Sequence, residues 1–310
     1  MTPRSWVAVL AVFLLSVVLV ARLRAARRGE EHDVRRRFFR APGAFVGLVV
    51  VCFIVFAAAA APLIAPYPPS RQLDIVALQN RPPSWLHPLG TDVYSRDLLS
   101  RLLFGARVTL GVAALAVLVA VGIGTLVGLV AGYGRRWTDG VLMRIVDIGL
   151  AVPRLFVFLM VVALWDRLPL GALILLLGAT GWFVTSRLVR AEVLSLRERL
   201  FVDATRASGA RPSRVVFRHI LPNAMAPIVV SAVLGLGNVM LLEAALSFLG
   251  IGVAPPTPSW GNMLAEGRDQ LLTAPWTTLF PGLAIAAVVM ACNAVGDALR
   301  RALNPLEPGG

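Results

Sequence analysis

At 310 residues, 57% of them hydrophobic, and with a formal net charge of +13, the chain carries more apolar side chain than a soluble core of its size requires. All thirty basic residues are Arg, which excludes a P-loop, whose Lys reaches the nucleotide phosphates, and Schiff-base chemistry, which needs an amine. His32, His87 and His219 show no ligand spacing, and neither His-Glu-x-x-His nor Gly-x-Ser-x-Gly occurs, so no metal site and no catalytic residue is expected.

Seven apolar runs stand at about 6–21, 43–65, 108–132, 142–164, 168–187, 224–249 and 277–298, most of them of bilayer length as helix. The expected fold is therefore an all-α polytopic membrane protein. The first run is followed by Arg22, Arg24, Arg27 and Arg28, whereas a signal peptide carries its charge in front. Residues 1–22 read as an extra N-terminal transmembrane segment, followed by a basic cytoplasmic linker (23–42), a transmembrane domain (43–303) and a tail (304–310). With that linker inside, 21 arginines collect on the cytoplasmic side against eight outside. The positive-inside rule then accounts for the net charge without nucleic acid.

An outer segment, 66–107, opens with Pro66, Pro68, Pro69, Pro82, Pro83 and Pro88, which favour extended or turning backbone, and becomes helical from Asp97. The third run carries Gly124, Gly128 and Gly132 on one face, suited to tight packing within the bundle or to a dimerisation face. In the fourth, Arg144 and Asp147 are spaced to pair on one helix. Arg154, near the middle of that run, has no acid three or four residues away. It is a candidate for a solute pathway, where it would attract an anionic group such as a carboxylate. Cys52 and Cys292 read as small core side chains.

Between the fifth and sixth runs lies a basic segment, 187–222. Val193, Leu196, Leu200, Ala204 and Ala207 recur at helical steps, Gly209 is placed to break that helix, and Ser213 is a plausible cap for a second short helix ending near Leu221. Pro222 then suits the first turn of the next span. Glu243 is a candidate for an outer gate or for a bond to the loop at Ser259-Trp260-Gly261. In the outer loop 253–275 and just after it, Trp260 and Trp276 fit interfacial anchors. Asp297 lies beside Arg300 and Arg301 at the inner end of the last run.

Asp203-Ala204-Thr205, Ala207, Gly209 and Leu221-Pro222 resemble the cytoplasmic loop of ABC importer permeases. Further residues are similar to the second, C-type permease of dipeptide/oligopeptide/nickel importers: His87-Pro-Leu-Gly90-Thr91-Asp92, Arg96-Asp97, Met143 to Asp147, Glu243 to Gly252, and Pro255 to Gly261 with Trp260. The resemblance covers roughly 35–305. It implies a six-helix permease core and a coupling helix at 203–222 seated on ATPase subunits that hold ATP and Mg. It also implies a homologous permease as partner, a substrate-binding protein outside, and alternating access in the cytoplasmic (inner) membrane of a prokaryote with the C-terminus cytoplasmic. Arg154, Glu243 and Asp147 are then candidates for the pathway or gate, and Gly90, Thr91, Asp92, Arg96, Asp97 and Trp260 form an outer signature. The expected cargo is a peptide or similar small solute. A nickel or other metal complex is the alternative cargo, and a membrane scaffold recruiting a soluble partner is the alternative from another class. Asp203 and Thr205 depart from the family's Glu-Ala-Ala, Ser95 stands where Gly is expected, and the run at 6–21 exceeds the six-span pattern.

Overall fold

The computed structural model describes residues 37–41, 43–165 and 168–303. The expected span at 6–21, most of the 23–42 linker and the 304–310 tail lie outside the described residues. Among the described residues the regular structure is helical, with one isolated bridge between Thr91 and Asp97. Five helices are long and apolar enough to cross a membrane, or six if a bent pair counts as one.

Helix α1 (Ala44–Ile64) has 21 residues, about 31 Å of helix, which matches the hydrocarbon thickness. It exposes Phe45, Phe53, Phe56 and Leu63, an apolar exterior suited to lipid. Cys52 lies on an exposed part of α1, whereas Cys292 is buried. A single turn, α2 (Ile75–Leu78), is capped by Asp74, whose carboxylate accepts from the amides of Val76 and Ala77.

Helix α3 (Leu98–Tyr133) joins the helical start read at Asp97 to the third apolar run, 36 residues in all. Asp97 is its N-cap and accepts from the Ser100 amide at 2.8 Å. The longest seam in the bundle joins α3 to α6 (Leu170–Arg197). A Cβ placed on Gly124, Gly128 or Gly132 would come within 2.6, 2.6 and 2.7 Å of Thr185, Val189 and Val193 respectively. The glycine face is therefore occupied by the chain's own α6 and is not a free dimerisation face.

The fourth run is not one straight span. It divides into α4 (Arg136–Ala151) and α5 (Arg154–Leu164), which meet at 80°. Pro153 pushes the preceding residue out of the helical region, and Val152 and Pro153 are both extended. α4 buries only Val146 and α5 only Phe158.

After α6 the expected helix over 193–207 is interrupted at Glu198–Arg199, and α7 (Leu200–Ala207) starts afresh. The next helix begins at Pro212, with Arg211 and not Ser213 in the cap position. Nor does it stop near Leu221. α8 (Pro212–Val215) passes through a π turn at Val216–Ile220 directly into α9 (Leu221–Phe248), with Pro222 in its first turn. α10 (Trp260–Gly267) opens with a capping box formed by Ser259 and Asn262, and α11 (Trp276–Leu303) closes the bundle against α1 and α9.

The main core lies among α1, α3, α6, α9, α10 and α11. A smaller one gathers Leu129, Val189, Val193, Val202, Val215 and Ile220. This second core lies toward the Tyr133 end of α3, which it fastens to α6, α7 and the start of α9.

Candidate functional site

The outer segment is fixed to α10 by a buried cluster of charges. Asp92 accepts from Arg96 Nε at 2.7 Å and from Arg101, and both arginines also bond Glu266. Two acids and two guanidiniums thus share one site, which limits the cost of removing them from water. Asp97, besides capping α3, lies 2.9 Å from His87 Nδ1. Trp276 Nε1 donates to Thr91 O at 3.2 Å. Gly90 has φ +83°, and a Cβ there would stand 2.6 Å from Arg81 O and 2.9 Å from the Trp276 ring nitrogen. Trp260 is 2% exposed and donates from Nε1 to Leu102 O at 2.9 Å. It is an interior residue, not the interfacial anchor expected: Gly105 leaves room for the indole, whose Cδ1 lies 3.1 Å from where a Cβ at 105 would be.

Ser95, the departure from the family pattern, has φ +57°, and its buried hydroxyl has no hydrogen-bond partner among the described residues. A left-handed backbone costs a non-glycine residue about 1–2 kcal/mol. Ser95→Gly should therefore stabilise the protein by about 1 kcal/mol or more, read as a rise in the thermal midpoint in detergent.

Glu243 is fully buried and accepts from Ser247 Oγ at 2.8 Å. The same hydroxyl accepts from the Val253 amide at 3.2 Å, so the carboxylate reaches the outer loop through Ser247. Thr109 and Ser259 face it from α3 and from the α10 cap. Glu243 thus stands where α3, α9 and the loop before α10 meet.

Asp147 pairs with Arg187 on α6, not with Arg144. Its neighbour on the same face, Asp139, bonds Arg190, with one contact at 2.6 Å. A helix pair meeting face to face offered closer partners than the helix's own surface. Arg154 is the first residue of α5 and not mid-helix. It is half-buried and donates from Nη2 to Leu177 O and Thr180 Oγ1, both at 3.1 Å.

At the other end of α3, α7 ends in a Schellman motif. The Gly209 amide bonds Arg206 O and the Ala210 amide bonds Thr205 O, with Gly209 left-handed at φ +76° and nothing within 4 Å of its absent Cβ. Arg197 Nη1 donates to Gly132 O at 3.1 Å, and Arg206 lies over the Tyr133 ring at 5.2 Å. Because the chain breaks at Glu198–Arg199, the apolar face expected from Val193 onward is not continuous. Val202 is buried, whereas Leu200 is 86% exposed and Phe201, Asp203, Ala204 and Ala207 are exposed with it. Thr205 is half-buried, its hydroxyl donating to Phe201 O at 2.7 Å, and Leu221 is half-buried beside an exposed Pro222. α7 thus turns Leu200, Phe201, Asp203 and Arg206 to the exterior, the last two 3.6 Å apart, while Val202 holds it to the second core.

Residues 124–306 match the family described as binding-protein-dependent transport system inner membrane component. The chain belongs to that family. Residues 32–83 match the N-terminal TM domain of oligopeptide transport permease C, which makes this a C-type permease and a multi-pass inner-membrane protein. It is 42% identical over 262 residues to the dipeptide transport system permease protein DppC of Alkalihalophilus pseudofirmus, covering 84% of this chain and 85% of the relative. It is also 42% identical over 269 residues to the di/tripeptide transport system permease protein DppC of Pseudomonas aeruginosa, covering 85% and 88%.

The permease also pairs charges that the sequence motifs do not single out: Arg101 and Glu266 in the outer cluster, and Asp139, Arg187 and Arg190 between α4 and α6. Spacing on one helix would have paired Arg101 with Asp97, but its side chain bonds Asp92 and Glu266 instead. Glu266 could not be paired by spacing, because its partners lie 165 and 170 residues away.

Proposed function

We propose that this permease is one half of the membrane channel of an ATP-driven importer that takes up peptides with a substrate-binding protein outside. α7 and the turn at Gly209 dock on an ATPase subunit, which supplies ATP and Mg, and a homologous permease completes the pathway. The observation that carries this reading is α7 itself, its outward face bare and its inward face held by the second core. A push on such a helix moves α3, α6 and α9 together, which is how nucleotide-driven closure below would become a change of access above. The arginine bias supports placing α7 and the C-terminus in the cytoplasm, and the names of the relatives support a di- or tripeptide cargo.

Pro cannot adopt φ +76°, so Gly209→Pro should uncouple the machine. In the co-purified complex of two permeases and ATPases, peptide-stimulated ATP hydrolysis should fall about tenfold or more, as expected for an energetic loss above 1.4 kcal/mol. If the wild-type chain, purified in mild detergent, brings down no nucleotide-binding protein, the importer reading fails.

A further inference from the structure

We infer that Arg154 forms a carboxylate subsite in the translocation pathway, meeting the C-terminal carboxylate of a peptide at the break between α4 and α5. The inference rests on the peptide-importer reading above.

Four other arginines in or against the bundle, Arg96, Arg101, Arg187 and Arg190, are each bonded to a carboxylate. Arg154 is not. Its guanidinium carries five N–H donors and makes two bonds, both from Nη2 and both to neutral acceptors. Each acceptor is already engaged within α6, since Thr180 Oγ1 donates to Leu176 O at 2.9 Å and to Leu177 O at 3.2 Å. Arg154 Nε is buried with no partner among the described residues, and Nη1 makes no bond there. The acids of α4 are committed elsewhere, Asp139 to Arg190 and Asp147 to Arg187. Among the described residues the Arg154 guanidinium has only neutral acceptors and no carboxylate within ion-pair distance.

A cation in an apolar span is expensive to keep uncompensated, and a planar guanidinium fork matches a carboxylate in two-point geometry. The side chain is half-buried and so reachable. A mobile solute carboxylate therefore supplies what the fold withholds, and it can leave again because the resting guanidinium retains two weak neutral bonds.

The test uses the full importer in proteoliposomes: this chain, the second permease, the ATPases and the binding protein. Uptake of a free-acid peptide is compared with uptake of its C-terminal amide for wild type, Arg154→Gln and Arg154→Lys. The binding protein's own preference is common to all three and divides out. With Arg154→Gln, kcat/KM for the free acid should fall about tenfold while that for the amide changes less than about twofold. Arg154→Lys should retain part of the discrimination. Equal losses for both peptides, no loss for either, or failure of Arg154→Gln to assemble with its partners would each overturn the subsite in favour of a structural role. Absence of ATP-dependent uptake by wild type would instead refute the importer reading itself.

Discussion

Arg101→Met should destabilise the permease by about 3–5 kcal/mol, the scale for removing one partner from a buried ion pair. Arg101 is 2% exposed and serves Asp92 and Glu266 at once. Without it, Arg96 is left to neutralise two carboxylates in a site that water hardly reaches. Replacing Glu266 as well, in Arg101→Met/Glu266→Met, leaves the Asp92–Arg96 pair intact at 2.7 Å. The double variant should therefore be more stable than Arg101→Met alone, a failure of additivity that marks direct coupling. Thermal unfolding of the purified protein in mild detergent measures both. A double variant whose loss equals the sum of the two single losses would mean the four charges act independently.

Gly128→Val should be nearly as damaging, by a different mechanism. The Cβ alone would sit 2.6 Å from Val189 Cβ and 2.7 Å from Ser186 O, and the second of these is backbone that cannot rotate away. α3 and α6 would have to separate, which also loosens the contacts at Gly124 and Gly132. Overpacking of this kind costs about 1–3 kcal/mol at one site, and the rigid seam places this case at the upper end. Gly122 is the internal control, being in the same helix with nothing within 4 Å of its absent Cβ. Gly122→Ala should gain about 0.5–1 kcal/mol of helix stability. Equal thermal midpoints for Gly128→Val and wild type would show that the seam yields.

Much of this architecture is legible in the amino-acid sequence itself. Apolar runs set the spans because backbone polar groups in a bilayer must bond within their own helix. Asp97 with Ser100 marks the start of α3, and Gly209 marks the end of α7. The break at Val152-Pro153 is also written there, since the residue before proline avoids the helical region, but the length of the apolar run hides it. Side-chain direction is less legible. The interruption at Glu198–Arg199 turns Leu200 and Ala204 outward, and no single residue there is a strong breaker. Trp260 at the edge of a span resembles an interfacial anchor until Gly105, some 155 residues earlier, is known to lie beside it. Charge partners are the least legible, because Asp147 chooses Arg187 over its helical neighbour and Glu266 finds Arg96 across most of the chain. Pairings across tertiary contacts leave no periodic trace.

The bent pair α4–α5 has an energetic consequence. It buries two apolar side chains and is fastened to α6 by polar links at Arg190, Arg187, Leu177 and Thr180 and by the Phe183 ring lying on Gly149, whereas α3 and α6 interlock along their length. Local opening follows the weakest packed unit, so this pair is the part of the isolated bundle that detaches first, with little help from the rest. The chain therefore combines a stiff frame with a loosely held arm. Swinging that arm breaks only these few contacts, whereas unfolding the frame would undo its whole interlocked seam.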